Sequence, residues 1–141
     1  MNRSFVCLML CLSIFLFSIP SICLSADVIK WYSYDEGIKL GKSQNKKIFI
    51  NFYADWCGYC TKMDKTTFAN PEVVAYLNKN FISIKINNDK EKNLSDQYRV
   101  RGLPSNWFLA ENASKIQNYP GYLETERFLS ILKNIQSESN K

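Results

Sequence analysis

The chain begins with a stretch whose hydrophobic pattern differs from that of the rest. Arg3 precedes an almost unbroken apolar run over residues 5–19, and small residues follow before the first acidic residue, Asp27. A basic start, an apolar middle and a small-residue exit are typical of a secretory signal peptide. The run is also shorter than the roughly 20 residues that a membrane-spanning helix needs. We therefore expect a cleaved signal peptide at residues 1–26 and one domain at residues 27–141.

Two alternatives to cleavage stay open. A retained leader would anchor the domain to a membrane. A lipoprotein start at Cys23 would do the same, although bulky Ile22 stands where a small residue is preferred. Cleavage would instead release the domain into the periplasm or outside the cell. We expect the cleaved and exported form.

Beyond the leader, short apolar runs alternate with amphipathic stretches. The apolar runs are rich in β-branched and aromatic residues and predict strands at residues 28–32, 48–53, 81–86, 107–109 and 115–119. Helical spacing of apolar residues and capping signals predict helices that begin within 57–60 and cover 35–44, 71–80, 91–98 and 124–135. Strands that alternate with helices indicate an α/β domain with a mixed sheet between helices.

Local signals support several of these elements. Asn70-Pro71 places a favoured N-cap residue before a proline at the first helical position, so a helix is expected to begin there. Residues 81–86 alternate between apolar and polar side chains, which predicts a strand. Pro120-Gly121 is expected to break the last strand.

The composition supports a folded domain and narrows its partners. The chain has 141 residues, of which 46% are hydrophobic and 14% aromatic, and this fits a globular protein. The net charge of +5 comes with lysines scattered singly or in pairs. Because a nucleic-acid interface needs a clustered basic face, we expect no nucleic-acid partner.

The chain contains no histidine and five cysteines. Without histidine, it can form no Ser-His-Asp or Cys-His nucleophile pair and no His-ligated metal site. Cys7, Cys11 and Cys23 belong to the expected leader, so only Cys57 and Cys60 remain in the domain. The chemistry of the domain is therefore expected at this one pair.

The Cys57-Gly58-Tyr59-Cys60 motif follows a predicted buried strand and opens a predicted helix. The thiolate is the reactive form of cysteine, and the amide groups at a helix N-terminus stabilise it. We therefore expect Cys57, at the exposed helix start, to attack a substrate disulfide. Cys60, one turn further in, would resolve the mixed disulfide. The two intervening residues let the sulfurs meet without unwinding the helix.

Three other interpretations of this pair stay open. A purely structural disulfide would close a very small loop and gain little chain entropy. A zinc site would need two more soft ligands, which only a second copy of the chain could supply. Inert thiols at a chance spacing are the third. Redox chemistry is favoured over these, with no metal and no cofactor.

Two motifs carry a family resemblance. Residues 52–60, Phe-Tyr-Ala-Asp-Trp-Cys-Gly-Tyr-Cys, resemble the active-site signature of the thioredoxin superfamily. Residues 98–105 resemble its second motif, in which the proline is cis, and Gly121 with the helix after it resembles the family's ending. The resemblance covers nearly all of the expected domain. It implies a thioredoxin fold, an α/β architecture with a central mixed β-sheet flanked by helices on both faces.

A narrower resemblance bears on the direction of the reaction. Trp31, residues 34–36 and residues 63–71 are similar to secreted thioredoxin-like proteins and to the C-terminal domain of transmembrane disulfide-interchange reductases. This implies a reductase of cysteines in exported proteins, including haem-accepting cytochromes, supplied by a separate membrane or soluble thiol donor. The Gly-Tyr pair is also that of periplasmic disulfide isomerases, so an oxidase or isomerase role is the alternative.

The resemblance also assigns roles to individual residues. It makes Cys57 the nucleophile and Cys60 the resolving thiol. Pro104 would face the disulfide across a groove and keep metals and misdirected pairing away. Leu103 would offer backbone hydrogen bonds to an extended substrate segment. Trp56 would shield the thiols and form part of the contact surface, with a plain core tryptophan as the alternative.

The two residues between the cysteines, Gly58 and Tyr59, belong to the same expected site. Tyr59 would tune the stability of the thiolate, or it would only pack against its surroundings.

The sequence departs from the family at one position. The family often has a buried Asp six residues before the first cysteine, where it accepts the proton of the buried thiol, and Asn51 stands there instead. An amide cannot take that proton, and Lys85, which matches the lysine usually paired with that Asp, loses its expected partner. Water, Asp55 or Asp64 must then act. Asp64 is favoured because it lies one helical turn after Cys60, with a solvated surface carboxylate as the alternative.

The sequence thus predicts an exported thiol–disulfide oxidoreductase that works as a monomer on cysteine-containing protein substrates. An alternative from another class is a binding or chaperone-like module that uses the Pro104 groove without turnover. Replacement of Cys57 by Ser separates the two.

Overall fold

The computed structural model describes residues 27–138, so the predicted signal peptide lies outside the described residues. The strands are β1 (Trp31–Tyr32), β2 (Lys47–Tyr53), β3 (Phe81–Asn87), β4 (Ser105–Leu109) and β5 (Lys115–Pro120). The helices are α1 (Tyr34–Gln44), α2 (Gly58–Lys65), α3 (Pro71–Asn80), α4 (Lys92–Gln97) and α5 (Thr125–Ser137). Within residues 27–138, no helix combines the length and the apolar character needed to cross a membrane.

The five strands form one mixed sheet in the order β1-β3-β2-β4-β5. β2 lies at its centre, parallel to β3 and antiparallel to β4; β1 runs parallel to β3, and β5 runs antiparallel to β4. The register places Asn51 of β2 between Lys85 on β3 and Asn106 on β4. The predicted α/β architecture with a central mixed sheet is confirmed.

Apolar side chains cover both faces of this sheet. On one face, the ring of Phe49 at the centre of β2 lies 5.9 Å from Phe68, 5.2 Å from Phe108 and 5.2 Å from Phe128, centroid to centroid. Residues of α3 and α5 complete this core. On the other face, the isoleucines of β2 and β3 pack with residues of α1. Because both faces of the sheet are covered, a substrate has access to the carboxyl ends of the parallel strands rather than to the faces.

Strand β3 is buried on both faces, in contrast to the alternation of its sequence. Ser83 is 2% exposed and Asn87 is also buried, while Lys85 is half-buried. β3 lies inside the sheet with helices over both faces, so its polar side chains are enclosed along with its isoleucines. Sequence periodicity therefore underestimates burial in the parallel part of a sheet.

The first strand is shorter than the predicted 28–32. The backbone N–H of Lys30 donates to Asn78 Oδ1 at 3.0 Å, and Asn78 Nδ2 donates to the carbonyl of Val28 at 2.9 Å. A side chain on α3 thus takes up the backbone groups that a longer strand would have given to β3. Only Trp31 and Tyr32 pair with β3.

Helix α3 begins where the sequence predicts. Asn70 is the N-cap, and its Oδ1 accepts the backbone N–H groups of Glu72 at 2.9 Å and Val73 at 3.3 Å. Pro71 is the first helical residue. The sequence therefore fixes this boundary through local chemistry alone.

Candidate active site

Helix α2 begins at the cysteine pair, just beyond the end of β2. Cys57 is the N-cap of α2, and its backbone N–H donates to the carbonyl of Ala54 at 3.1 Å. Cys57 and Cys60 form a disulfide with their Cα atoms 5.2 Å apart. The backbone N–H of Cys60 donates to Cys57 Sγ at 3.2 Å. The Cys57 sulfur therefore lies at the partly positive end of a helix, where a negative charge on it is stabilised.

The two cysteines are equally buried, which corrects one expectation. Cys57, expected at an exposed helix start, is only 4% exposed, and so is Cys60. The two form a small cluster with Ala54, against which Tyr53 and Leu103 pack. These neighbours come from the end of β2 and from the loop before β4, and neither is adjacent to Cys57 in sequence. Position on the helix, rather than exposure, distinguishes the two sulfurs.

The loop before β4 brings Leu103 to the cysteine cluster, and Pro104 follows Leu103 in the chain. The peptide bond between them is cis, as the family resemblance implies. Pro104 is buried, and its carbonyl accepts the N–H of Gly121 at 2.7 Å. Leu103 is half-buried and packs against the cysteine cluster. Leu103 therefore lies beside the cysteine pair, and Pro104 follows it directly in the chain.

Trp56 lies on the surface, so the alternative of a core tryptophan is wrong. It is 72% exposed, and its indole N–H donates to Asp89 Oδ2 at 2.8 Å. Asp89 was not singled out from the sequence. Its only signal there is the polar run Asn87-Asn88-Asp89 directly after a predicted strand. The hydrogen bond holds an exposed aromatic ring next to the disulfide.

The residues between the cysteines face solvent. Tyr59 is 65% exposed, and its ring centroid lies 6.4 Å from that of Tyr122. A Cβ atom added at Gly58 would meet no atom within 4 Å, so packing does not require glycine there. The described surface near the disulfide thus carries two large exposed aromatic rings, those of Trp56 and Tyr59.

Asn51 belongs to a neutral network beneath the site. It is 2% exposed, and its Nδ2 donates to Asn106 Oδ1 at 3.0 Å. Asn106 Nδ2 donates in turn to the carbonyls of Tyr119 at 3.0 Å and Gly121 at 3.1 Å. Asn106 was missed at the sequence level, because it lies directly before the predicted strand 107–109, whereas β4 begins at Ser105. The position at which the family resemblance implies an acid is thus part of an amide network.

Lys85 is not left without a partner. Its Nζ lies 2.6 Å from Asp64 Oδ1, and it lies over the rings of Tyr53 at 4.9 Å and Trp31 at 5.3 Å from their centroids. Asp64 is on α2, one turn after Cys60. The carboxylate that pairs with Lys85 therefore comes from α2, the helix that begins at the cysteines, and not from β2.

Asp55 and Tyr98 each have a hydrogen-bond partner away from the cysteines. Asp55 Oδ2 accepts a hydrogen bond from Asn87 Nδ2 at 3.3 Å. Burial, together with the hydroxyl contact to Tyr34, raises the pKa of Tyr98, so this phenol stays protonated in the working range. Across residues 27–138, no group of three or more Cys, Asp or Glu side chains is placed to hold a metal ion.

A family model and curated relatives match this chain. The model of the thioredoxin-like domain matches residues 34–136. The thiol:disulfide interchange protein DsbD of Haemophilus ducreyi is 32% identical over 102 residues, which are 69% of this chain and 18% of that protein. DsbD of Photorhabdus laumondii is 28% identical over 99 residues, 67% of this chain and 17% of that protein. The chain thus spans less than a fifth of the length of these relatives.

Solved structures share the fold. A thioredoxin from Thermus thermophilus superposes with a TM-score of 0.70 at 25% identity, covering 76% of this chain and 86% of that one. A DsbH oxidoreductase superposes with a TM-score of 0.69 at 21% identity, covering 82% and 89%. The second likeness, at this identity, concerns the fold alone.

Proposed function

The chain belongs to the thioredoxin-like domain family, and on this premise we propose that it is a thiol–disulfide oxidoreductase acting through Cys57 and Cys60. One observation carries the proposal: the two cysteines are disulfide-bonded at the start of α2, where the Cys57 sulfur accepts the N–H of Cys60. This placement supports a thiolate on Cys57 after reduction.

In the reductive direction the reaction has two exchange steps. The Cys57 thiolate attacks one sulfur of a substrate disulfide, so that a Cys57–substrate disulfide forms and the other substrate sulfur leaves as a thiolate. Cys60 then loses its proton and attacks the Cys57 sulfur, which restores the Cys57–Cys60 disulfide and releases the second substrate thiolate. Two electrons pass to the substrate, and the two released thiolates take up protons from solvent.

Each turnover leaves the chain oxidised, so a separate dithiol must reduce it again. We propose a membrane-bound or soluble dithiol protein as this donor, and cysteine-containing exported proteins as substrates, with the chain working as a monomer. The name of the DsbD relatives, thiol:disulfide interchange protein, supports exchange with another protein. The signal-peptide pattern of residues 1–26 supports work in the periplasm or outside the cell.

The direction of exchange is proposed as reduction. Members of this fold range in reduction potential from about −270 mV to about −120 mV, so the fold alone leaves the direction open. In cells that express the chain, acid quenching and thiol alkylation are expected to trap Cys57 and Cys60 mainly as free thiols. A pair trapped mainly as the disulfide would contradict the reductase and favour an oxidase.

Asp64 is the proposed proton acceptor for Cys60. It lies one turn further along the same helix face, and its 2.6 Å contact with Lys85 fixes the position of the carboxylate. Asn51 cannot serve, because an amide has no basic site and this one donates to Asn106. Asp64 would act directly or through one water, as general bases do.

Replacing Asp64 by Asn is expected to slow resolution of the mixed disulfide by about a hundredfold at neutral pH. The deficit should shrink as the pH rises towards about 8.5, the usual pKa of a free thiol, because solvent then removes the proton. The measurement is single-turnover release of the second substrate thiol as a function of pH.

Glu72→Gln is the matched control, because it removes the carboxylate of a second ion pair, 3.3 Å from Lys133, on α3 and not on the helix of the cysteines. Its pH profile should follow that of the unaltered chain. An Asp64→Asn profile that also follows it would overturn the assignment to Asp64.

A further inference from the structure

An open groove of about 160 Å³ lies beside the disulfide. It is lined by Trp56, Asn88, Val100, Arg101, Gly102 and Leu103. Leu103 also packs against the cysteine cluster, so the groove and the redox pair share a wall. A substrate whose sulfur reaches Cys57 must therefore lay the residues next to its cysteine across or close to this groove.

Asn88 contributes an unpaired polar atom to this region. Its backbone N–H donates to the carbonyl of Tyr53 at 2.8 Å, which fixes the residue at the end of β2. Its Oδ1 is buried, and none of residues 27–138 supplies it with a hydrogen-bond donor. A buried amide oxygen without a partner is unfavourable, so an atom of this kind requires an explanation.

The side chains on either side of Asn88, those of Asn87 and Asp89, do have hydrogen-bond partners. Asn87 Nδ2 donates to Asp55, and Asn87 Oδ1 accepts the N–H of Asp89 at 3.0 Å. Asp89 holds the indole of Trp56. Because no hydrogen bond to Oδ1 holds the Asn88 amide, turning its oxygen into the groove breaks none at that atom.

The charges around the groove favour a neutral occupant. Arg101 lines it and is exposed, which disfavours a cationic side chain. Asp89 is exposed next to Asn88, which disfavours an anionic one. The side chains of Trp56, Val100 and Leu103 supply apolar contact but no acceptor, so Asn88 supplies the uncharged side-chain acceptor of the groove lining.

We propose that Asn88 is a specificity-determining residue, whose amide binds an uncharged hydrogen-bonding side chain (Asn, Gln, Ser or Thr) next to the substrate cysteine. This inference rests on the proposed oxidoreductase function and names a substrate feature that favours exchange at the same site. The substrate side chain supplies the hydrogen-bond donor that the Asn88 oxygen lacks in the free chain.

The test compares peptide disulfides that differ only in the residue next to the cysteine, with Asn or its near-isostere Leu on either side in turn. The unaltered chain should reduce one of the Asn peptides with a kcat/KM about three- to tenfold above that of its Leu counterpart, as one net hydrogen bond predicts. Asn88→Leu should bring this ratio to about one. Asn88→Asp, which keeps an acceptor, should retain a preference for Asn over Leu.

Asn93→Leu is the control, because Asn93 is an exposed asparagine of α4 that does not line the groove. It should keep the ratio of the unaltered chain. Equal kcat/KM values for all peptides with the unaltered chain, or an unchanged ratio in Asn88→Leu, would overturn the specificity role while leaving the oxidoreductase intact. Failure of the unaltered chain to reduce any peptide would instead overturn the proposed function itself.

Discussion

Replacement of Cys57 by Ser is expected to lower the rate of disulfide exchange by about three orders of magnitude or more, to the uncatalysed background. A serine hydroxyl stays protonated in the working range, so the helix N-terminus has no thiolate to stabilise. The loss follows from the place of Cys57 as the N-cap of α2, with its sulfur 3.2 Å from the N–H of Cys60. The measurement is the reduction of a protein disulfide by the full chain with an added dithiol.

Replacement of Cys60 by Ser should have a different outcome. Cys57 can still attack, but nothing resolves the product, so a covalent Cys57–substrate disulfide should accumulate. Mass spectrometry under non-reducing conditions detects this adduct. An adduct on Cys57→Ser instead would reverse the two roles. Unchanged exchange activity together with an unchanged cellular phenotype in Cys57→Ser would refute an enzyme that acts through this pair and favour a binding module at the Pro104 groove.

Replacement of Phe49 by Ala is expected to lower the free energy of unfolding by about 3–5 kcal/mol. The ring is fully buried at the centre of β2 and lies within about 6 Å of four other rings, those of Trp31, Phe68, Phe108 and Phe128. Removal of the ring leaves a cavity between the sheet and the residues of α3 and α5, and the surrounding backbone cannot move far enough to fill it. The free energy of unfolding of a small domain is typically about 5–15 kcal/mol, so this variant should be only marginally stable.

Urea unfolding of the full chain measures this loss through the shift of the midpoint. Phe49→Leu keeps most of the volume and should cost roughly 1.5 kcal/mol or less. Equal losses in the two variants, or a loss below about 1 kcal/mol in Phe49→Ala, would contradict a core centred on this ring.

Features fixed by local chemistry were predictable from the sequence. The start of α3 at Asn70-Pro71 depends on a cap and a proline, and both act within three residues. The central strand β2 and the helix opening at Cys57 follow from one continuous segment. The cysteine pair, Leu103 and Pro104 were predicted for the same reason: short motifs carry them.

Features that depend on distant partners were not predictable in the same way. Asn106 meets Asn51 only because β4 pairs with β2, and Asp89 meets Trp56 only because β3 ends beside β2. No spacing in the chain encodes these contacts. The pairing of Lys85 with Asp64 also joins a strand to a helix, and the sequence singled out both residues without joining them.

Burial was the least predictable property. Cys57 was expected to be exposed because it opens a helix, yet Leu103 and Tyr53 cover the pair. β1 was expected to extend over 28–32, yet the side chain of Asn78 takes its backbone groups. In both cases a residue remote in sequence, Leu103 or Asn78, contributes to the outcome, and periodicity contains no information about it.

The central claim is that Cys57 and Cys60 pass two electrons to a substrate disulfide. The most direct test mixes the fully reduced chain with excess peptide disulfide, alkylates all thiols after one turnover and measures the proteolytic peptide that holds both cysteines. We expect this proteolytic peptide to carry the Cys57–Cys60 disulfide and no alkyl group, with one substrate disulfide reduced per chain. A proteolytic peptide alkylated at both cysteines, with the substrate still oxidised, would contradict two-electron transfer by this pair.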